Sequence, residues 1–294
     1  MRYLLLALVI VGCTVAKEEE DDNGAVSATN GAGGSAGQAS GGSGGAGGVG
    51  PNVPPGCERT SAHSNCLGAP GIMQSTIEVA GETRYYRVYA PSQGSCTNPS
   101  GMLFFFHGLG GNEQNFNALD PLAEAQNLVF VQPRGSAQSW ANGAWGWVPD
   151  GFANNMELVR AIRTSLEQGY EIDPYRVYIA GFSQGAFMSA ALASPNAMGN
   201  EVAGVGIFGG GEEGNTCPNS SCYATLACKV PFFMRTGDAD QHLQYTQALY
   251  DGLLLAGWPA TQVDFQTFPG GHTIRQEDLT AMVPWLDETY PKLP

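Results

Sequence analysis

From Cys57 onward, short strand-like runs alternate with longer helix-like segments. The run MLFFFHG is unbroken in its apolar character, as a strand buried on both faces of a sheet must be. Further strands are predicted at STIEVA, RYYRVYA, LVFVQP, RVYIAG, VAGVGIFGG, VPFFMRTG and VDFQTF, and helices at Asn115–Gln126, NNMELVRAIRTSLEQG, GAFMSAALA, HLQYTQALYDGLLLAG and EDLTAMVPWLDETY. This alternation indicates an α/β fold with a mostly parallel central sheet flanked by helices. The first two strands are expected to pair antiparallel around a turn at Gly81-Glu82.

Ser183 lies where the strand RVYIAG is expected to pass into the helix GAFMSAALA. The stretch Gly181-Phe182-Ser183-Gln184-Gly185 matches the pattern of a nucleophile presented on a sharp strand-to-helix turn. Both glycines are needed because larger side chains there would collide with the strand and the helix. In a parallel sheet this turn lies at the carboxyl end of a strand, where ligands bind. Ser183 is therefore the candidate nucleophile.

A serine hydroxyl is a poor nucleophile until a base takes its proton. The chain has four histidines, and His272 follows the last predicted strand, in a loop at its carboxyl end. His272 is the candidate base, and His242, at the start of a predicted helix, is the alternative.

The acid that orients the base is expected between the serine and the histidine in the chain. The segment RTGDADQHL offers Asp238 and Asp240. Asp264 fits less well because it lies inside a predicted strand.

An oxyanion hole needs backbone N–H groups aimed at the developing negative charge. The N–H of Gln184, the residue after the candidate nucleophile, is one expected donor. The other is expected from HGLGGN, after the strand MLFFFHG, with Leu109 preferred over Gly110. His107 is expected to brace this loop and to lie near bound substrate.

These motifs resemble those of the α/β-hydrolase serine esterases, over about residues 72–290. The matching segments are FFFHGLGG, YIAGFSQGAFMSAAL, TGDADQHL and FPGGHT. The chain resembles both the polyhydroxybutyrate depolymerase-like family, with its feruloyl and acetylxylan esterases, and the phospholipase/carboxylesterase family, with its acyl-protein thioesterases. The first family is favoured by the export signal, by the cysteines and by the segment SWANGAWGWVPDGFANNMELVRAI, although its usual residues differ from those of this chain at Asn155-Met156, Gln184 and Arg235-Thr236.

The resemblance implies that Ser183, Asp240 and His272 form a catalytic triad, with Asp240 chosen because it ends a Gly-x-x-Asp pattern that begins at Gly237. It implies two-step acyl transfer on carboxylic esters, with no metal or organic cofactor. Asp238 is then expected to stiffen its loop.

Three tryptophans, Trp140, Trp145 and Trp147, fall in one segment after the strand LVFVQP. An indole face beside the nucleophile would suit an aromatic acyl group, a sugar ring or a polyester segment. We therefore expect plant-wall feruloyl or acetyl esters, or short polyesters such as polyhydroxybutyrate, as substrates. Two alternatives are a phospholipase, carboxylesterase or thioesterase, and a non-catalytic hydrolase fold that binds carbohydrate.

The N-terminus predicts export. MRYLLLALVIVGC has one basic residue followed by an apolar run too short for a transmembrane helix but suited to a signal peptide. Its end, Ile10-Val11-Gly12-Cys13, resembles a bacterial lipobox, which predicts lipidation of Cys13 and a membrane anchor at the cell surface. The alternative is an ordinary secretory signal cut further on.

Residues 14–56 are acidic and then rich in Gly and Ser, with almost nothing to bury, so they are predicted to be a disordered linker. Such a chain of ~40 residues has a root-mean-square span of roughly 35 Å. Residues 57–294 are then expected to form the catalytic domain. The net charge of −14 argues against nucleic acid and anionic membrane surfaces as partners.

Six cysteines follow Cys13, an even number that indicates disulfides in an exported chain. A zinc site at Cys217 and Cys222 is the alternative, although no histidine lies close in sequence. Three of the six precede Ser183 and three follow it. If all six pair, one or three bridges must therefore join the two groups.

Overall fold

The computed structural model describes residues 57–59, 64–136, 146–147, 152–212 and 217–290. The predicted signal peptide, Cys13 and the predicted linker lie outside the described residues. Trp140 and Trp145 also lie outside them, so these expectations remain predictions. Within the described part of the chain, no helix is both long and apolar enough to cross a membrane.

An eight-stranded sheet forms the centre of the fold, in the order β1-β2-β4-β3-β5-β6-β7-β8. Strands β1 and β2 run antiparallel to each other, β2 runs antiparallel to β4, and the remaining pairs are parallel. The strands are β1 (Gly71–Val79), β2 (Glu82–Ala90), β3 (Ser100–Phe106), β4 (Leu128–Pro133), β5 (Ile172–Phe182), β6 (Gly204–Phe208), β7 (Phe232–Gly237) and β8 (Val263–Phe268). The prediction of a mostly parallel α/β sheet is confirmed.

The described part of the chain contains five α-helices, four between strands and the last after β8: α1 (Asp120–Ala125), α2 (Phe152–Gly169), α3 (Gln184–Leu192), α4 (Leu243–Leu255) and α5 (Gln276–Thr289). Helix α3 packs on β3, β5 and β6, and α5 packs on β6 and β7. Each of the eight predicted strands and five predicted helices is present. One difference is that the first part of the segment predicted as a helix at Asn115–Gln126 forms a 3-10 turn, Asn117–Leu119.

Strand β3 is buried along its whole length. Its three consecutive phenylalanines, Phe104, Phe105 and Phe106, have no exposed surface. Neighbouring side chains of a strand point to opposite sheet faces, so an unbroken apolar run requires both faces to be covered. Strand β3 therefore lies in the interior of the sheet, between β4 and β5.

The hairpin that joins β1 and β2 turns at Ala80 and Gly81, one residue earlier than predicted. Both residues have positive φ, 51° and 79°. A two-residue hairpin turn with positive φ at both positions matches the right-handed twist of the strands.

Three disulfides join the six described cysteines: Cys57–Cys228, Cys66–Cys96 and Cys217–Cys222. One bridge, Cys57–Cys228, connects the group before Ser183 with the group after it, across a separation of 171 residues. The prediction that one or three bridges join the two groups of three cysteines is confirmed. The zinc alternative is wrong because both sulfurs are bonded to each other.

Candidate active site

Ser183 occupies the turn between β5 and α3, with φ 56° and ψ −123°. A non-glycine residue at positive φ is strained, and such strain persists only where the surrounding structure holds it. The Ser183 N–H donates to the carbonyl oxygen of Phe208, the last residue of β6, at 2.9 Å. The turn thus presents the hydroxyl above the carboxyl edge of the sheet.

The two glycines of the pattern are required by close backbone contacts. A Cβ atom at Gly185 would lie 2.0 Å from the carbonyl oxygen of Phe106 in β3. A Cβ atom at Gly181 would lie 2.3 Å from the carbonyl oxygen of Gly185. The helix can approach the sheet this closely only because both side chains are absent, as the sequence predicted.

The structure brings Ser183, His272 and Asp240 into one chain of hydrogen bonds. His272 Nε2 lies 2.8 Å from Ser183 Oγ, and His272 Nδ1 lies 2.8 Å from Asp240 Oδ2. The Asp240 side chain is fully buried, whereas 28% of the His272 side chain is exposed. With the Nδ1–H tautomer, which the carboxylate favours, Nε2 is free to accept the serine proton.

The other two aspartates considered from the sequence are bonded elsewhere. Asp238 Oδ1 accepts the N–H of Gly270 at 3.0 Å, which ties its loop to the loop that carries His272. Asp264 pairs with Arg235 inside the sheet. The position of Asp240 is further supported by its other oxygen, Oδ1, which accepts the N–H of His242 at 2.8 Å.

Two neighbours of His272 were not expected from the sequence. The ring of Phe182 stacks on the His272 ring, with centroids 4.8 Å apart. Gly209, the residue after β6, has φ 59°, and a Cβ atom there would lie 2.9 Å from Asp240 Oδ2 and 3.2 Å from the His272 ring. In the sequence, the three consecutive glycines at 209–211 were the signal that the backbone here lies close to Asp240 and His272.

Arg235 of β7 links the strand before the His272 loop to the helix after it. Its guanidinium pairs with Asp264 of β8 and lies 3.4 Å from Asp278 of α5. Asp278 also receives two hydrogen bonds from Arg275, each 2.7 Å long. Because His272 lies between β8 and α5, this network holds both ends of its loop.

His107 is only 1% exposed, and backbone groups occupy both of its ring nitrogens. Nδ1 lies 2.7 Å from the carbonyl oxygen of Gly108, and Nε2 accepts the N–H of Gly135 at 2.9 Å. Burial lowers the pKa of His107 from 6.5 to about 4, so the ring is neutral at pH 7. The expectation that His107 contacts substrate is therefore corrected: the ring braces the loop after β3.

Trp147 is also buried, at 3% exposure. Its indole N–H donates to the carbonyl oxygen of His107 at 2.9 Å, and its backbone N–H donates to the Gln184 side chain at 2.8 Å. This placement corrects the expectation that Trp147 binds substrate, since its ring is buried and packs against Phe106.

The loop after β3 passes directly over the nucleophile. A Cβ atom at Gly108 would lie 3.2 Å from the Cβ atom of Ser183, and Leu109, the next residue, is 49% exposed. Gln184 is the first residue of α3, and the N–H groups of a helix's first turn have no acceptor within the helix. Both expected oxyanion donors therefore belong to segments that meet at Ser183.

The His242 side chain lies beside the Ser183–His272–Asp240 group but is not part of the chain of side-chain hydrogen bonds that links these three residues. Its ring is perpendicular to the His272 ring, with centroids 4.7 Å apart, and Ser183 Oγ contacts His272 instead. Among the described residues, Asp240, His242 and His272 offer ligand atoms within 4.8 Å of one another, so they could hold a metal ion.

The sheet order and the serine on the turn after β5 define an α/β-hydrolase fold. The chain belongs to the phospholipase/carboxylesterase family, whose model matches residues 93–290. This is one of the two families whose motifs the sequence resembles, and the recognition of an α/β-hydrolase esterase is confirmed.

Individual relatives of this chain include a protein named feruloyl esterase and a protein named acyl-protein thioesterase. A feruloyl esterase D from Neurospora crassa is 25% identical over 54% of this chain and 57% of its own length. An acyl-protein thioesterase 1 from Debaryomyces hansenii is 24% identical over 65% of this chain and 91% of its own length. The chain spans about half the length of several curated relatives that it matches.

Solved structures share the fold. A carboxyl esterase from Bacillus coagulans superposes with a TM-score of 0.60 at 12% identity, over 76% of this chain and all of that one. At this identity the likeness shows the fold alone.

Proposed function

We propose that this chain is a serine carboxylic-ester hydrolase with Ser183, His272 and Asp240 as its catalytic triad. The observation that carries the proposal is the pair of 2.8 Å contacts that links the three side chains in that order. The strained turn at Ser183 supports it, because strain of this kind is concentrated at functional sites.

In the first step, Ser183 Oγ attacks the ester carbonyl carbon while its proton passes to His272 Nε2. Asp240 stabilises the imidazolium that results. His272 then gives the proton to the leaving alcohol, which departs and leaves an acyl-serine. In the second step, His272 deprotonates a water molecule that attacks the acyl carbon, and the proton returns to Ser183 as the acid leaves.

The N–H groups of Gln184 and Leu109 are proposed to hold the negative oxygen of the tetrahedral intermediate. Support comes from the position of Gln184 at the start of α3 and from the contact between Gly108 and Ser183. The buried His107 ring and the Gln184 side chain fix the two segments. Such donors need no rearrangement when the charge develops.

For the substrate we propose plant-wall feruloyl or acetyl esters, or short polyesters. Support comes from relatives named feruloyl esterase and acetylxylan esterase. Trp140 and Trp145 remain the proposed aromatic contacts.

A thioesterase is the second candidate. The observation that favours it is the alignment with acyl-protein thioesterase 1, which covers 91% of that protein. The same acyl-serine chemistry cleaves thioesters.

We also propose that the enzyme is exported and anchored through Cys13. The three disulfides support an oxidising location. Mass spectrometry of the mature protein should find a lipidated Cys13 at its N-terminus. An unmodified N-terminus downstream of residue 13 would show that the anchor is absent.

The decisive experiment measures hydrolysis of p-nitrophenyl acetate by the full chain and by Ser183→Ala. Activity that depends on Ser183 establishes the hydrolase, and no activity in either protein favours the carbohydrate-binding alternative. A panel of methyl ferulate, acetylated xylan, polyhydroxybutyrate and a palmitoyl thioester then separates the substrate classes by their kcat/KM.

A further inference from the structure

His242 places a second imidazole against the Asp240–His272 pair. Its Nδ1 lies 3.8 Å from Asp240 Oδ1 and is a buried nitrogen without a hydrogen-bond partner among the described residues. Its Nε2 has only a long contact, 3.5 Å, with the Gln241 side chain. The ring can therefore turn without breaking a strong hydrogen bond.

We propose that Asp240, His242 and His272 form a zinc-binding site through which Zn²⁺ inhibits the enzyme. Imidazole nitrogens and a carboxylate oxygen are ligands that suit Zn²⁺. Water completes the four-coordinate shell. The site goes beyond the proposed hydrolytic function, in which the metal has no part.

The distances fit a tetrahedral ion after a small adjustment. Zinc bonds of 2.0–2.2 Å place tetrahedral ligand atoms about 3.4 Å apart. Asp240 Oδ2 lies 2.8 Å from His272 Nδ1, and the other carboxylate oxygen, Oδ1, lies 3.8 Å from His242 Nδ1, so the two distances lie on either side of that value but belong to different oxygens. The widest separation in the group is within 4.8 Å. Rotation of the partly exposed His242 ring can close this gap.

Access and charge also favour the site. The side chains of His242 and His272 are 23% and 28% exposed, so an ion can reach them from solvent. Asp240 supplies a buried negative charge, and a buried carboxylate gains from a cationic partner. Asp238 adds an exposed carboxylate on the same loop.

Zinc binding would switch off the triad by changing the tautomer of His272. The ion takes the place of the proton on Nδ1, and the neutral ring then carries its proton on Nε2. That nitrogen can no longer accept the proton of Ser183. No redox change and no covalent step is involved, so removal of the ion restores the enzyme.

Calorimetry on the full-length Ser183→Ala protein tests the binding without any need for activity. We expect one equivalent of Zn²⁺ to bind, and the added change His242→Ala to weaken this binding at least about tenfold. His63→Ala is the matched control, a histidine outside the described residues, and should leave binding intact. Mg²⁺, which prefers oxygen ligands, should not bind at the same concentrations.

Inhibition is then measured on the chain with Ser183 intact, with p-nitrophenyl acetate as substrate. Zinc should inhibit reversibly, EDTA should restore the rate, and the half-inhibitory concentration should rise at least about tenfold in His242→Ala, relative to that variant's own rate. His242→Gln serves as a second variant if His242→Ala does not fold. Absence of binding, or equal binding by the His242 and His63 variants, would overturn the proposal; an inactive chain that still binds zinc would overturn only the hydrolase.

Discussion

Asp238 Oδ1 accepts the backbone N–H of Gly270, so the loop after β7 is fastened to the loop after β8. Two backbone hydrogen bonds of 2.8 Å, Asp238 N–H to Phe268 and Ala239 N–H to Gly270, reinforce this contact. The first loop carries Asp240 and the second carries His272. The acid and the base of the proposed triad are therefore held relative to each other by the backbone and by a neighbouring aspartate.

Removal of either Ser183 or His272 should abolish most of the hydrolysis. We expect Ser183→Ala and His272→Ala each to lower kcat for p-nitrophenyl acetate by roughly 10⁴-fold or more, because the two act as a unit. The double variant should lose little more than either single one. Circular dichroism should show an intact fold, and additive losses would contradict a shared step.

The assignment of the acid can be tested with a matched pair of carboxylates on one loop. Asp240→Asn should lower kcat by roughly 10³–10⁴-fold, since an amide favours the wrong His272 tautomer. Asp238→Asn retains an oxygen that can accept from Gly270 and should lower kcat by less than about tenfold. A larger loss at Asp238 would show that Asp240 is not the acid.

A methyl group at Gly185 should destabilise the fold. Its Cβ atom would lie 2.0 Å from a backbone oxygen of β3, which cannot move as a side chain would. We expect Gly185→Ala to lower the free energy of unfolding by about 3 kcal/mol or more. Gly271→Ala is the control, because a Cβ atom there meets nothing within 4 Å. Denaturant titration should rank the two variants in that order.

The buried His107 predicts a loss of stability in mild acid. Because burial holds its pKa near 4 in the folded protein, the unfolded chain, with a pKa near 6.5, takes up a proton first as pH falls. The neutral His107 ring therefore makes its full contribution to the free energy of unfolding above pH 6.5. As pH falls toward 4, the free energy of unfolding decreases by about 3 kcal/mol from this group.

Thermal unfolding at pH 7 and pH 4.5 measures this effect. His107→Asn removes the titrating group, so its melting temperature should fall less between the two pH values than that of the unchanged chain. An equal fall in both proteins would mean that other groups cause the acid sensitivity.

The bridge between Cys57 and Cys228 should stabilise the fold more than either of the other two bridges. It joins residues separated by 171 positions in the chain. In the chain-entropy treatment, a loop of this length raises the free energy of unfolding by about 5 kcal/mol, whereas the short Cys217–Cys222 loop raises it by about 2 kcal/mol. Replacement of each pair by serines should lower the melting temperature in that order. The opposite order would assign the larger role to local packing.

The tryptophans should separate into two groups. Trp147→Ala removes a buried ring and should lower stability by about 3–5 kcal/mol, with similar losses of kcat/KM on aromatic and acetyl esters. Trp140→Ala or Trp145→Ala should instead lower kcat/KM for methyl ferulate more than for p-nitrophenyl acetate. Equal losses on both substrates for Trp140 and Trp145 would leave the aromatic subsite without support.

Local sequence patterns determined the elements of this fold and the place of the nucleophile. Runs such as LVFVQP and VDFQTF coincide with β4 and β8, because the apolar pattern of neighbouring residues predicts a strand. The turn at Ser183 was also predictable, since the clash that forbids a side chain at Gly181 is with the backbone of Gly185, within one strand-turn-helix unit.

Only the tertiary structure decided several other contacts between distant residues. The pairing of Cys57 with Cys228, the burial of His107 and Trp147, and the approach of His242 to His272 all join separate segments. These contacts depend on the order of strands in the sheet and on the packing of its loops. Neither is encoded in the periodicity of any single segment, because burial of a side chain is a property of the assembled core.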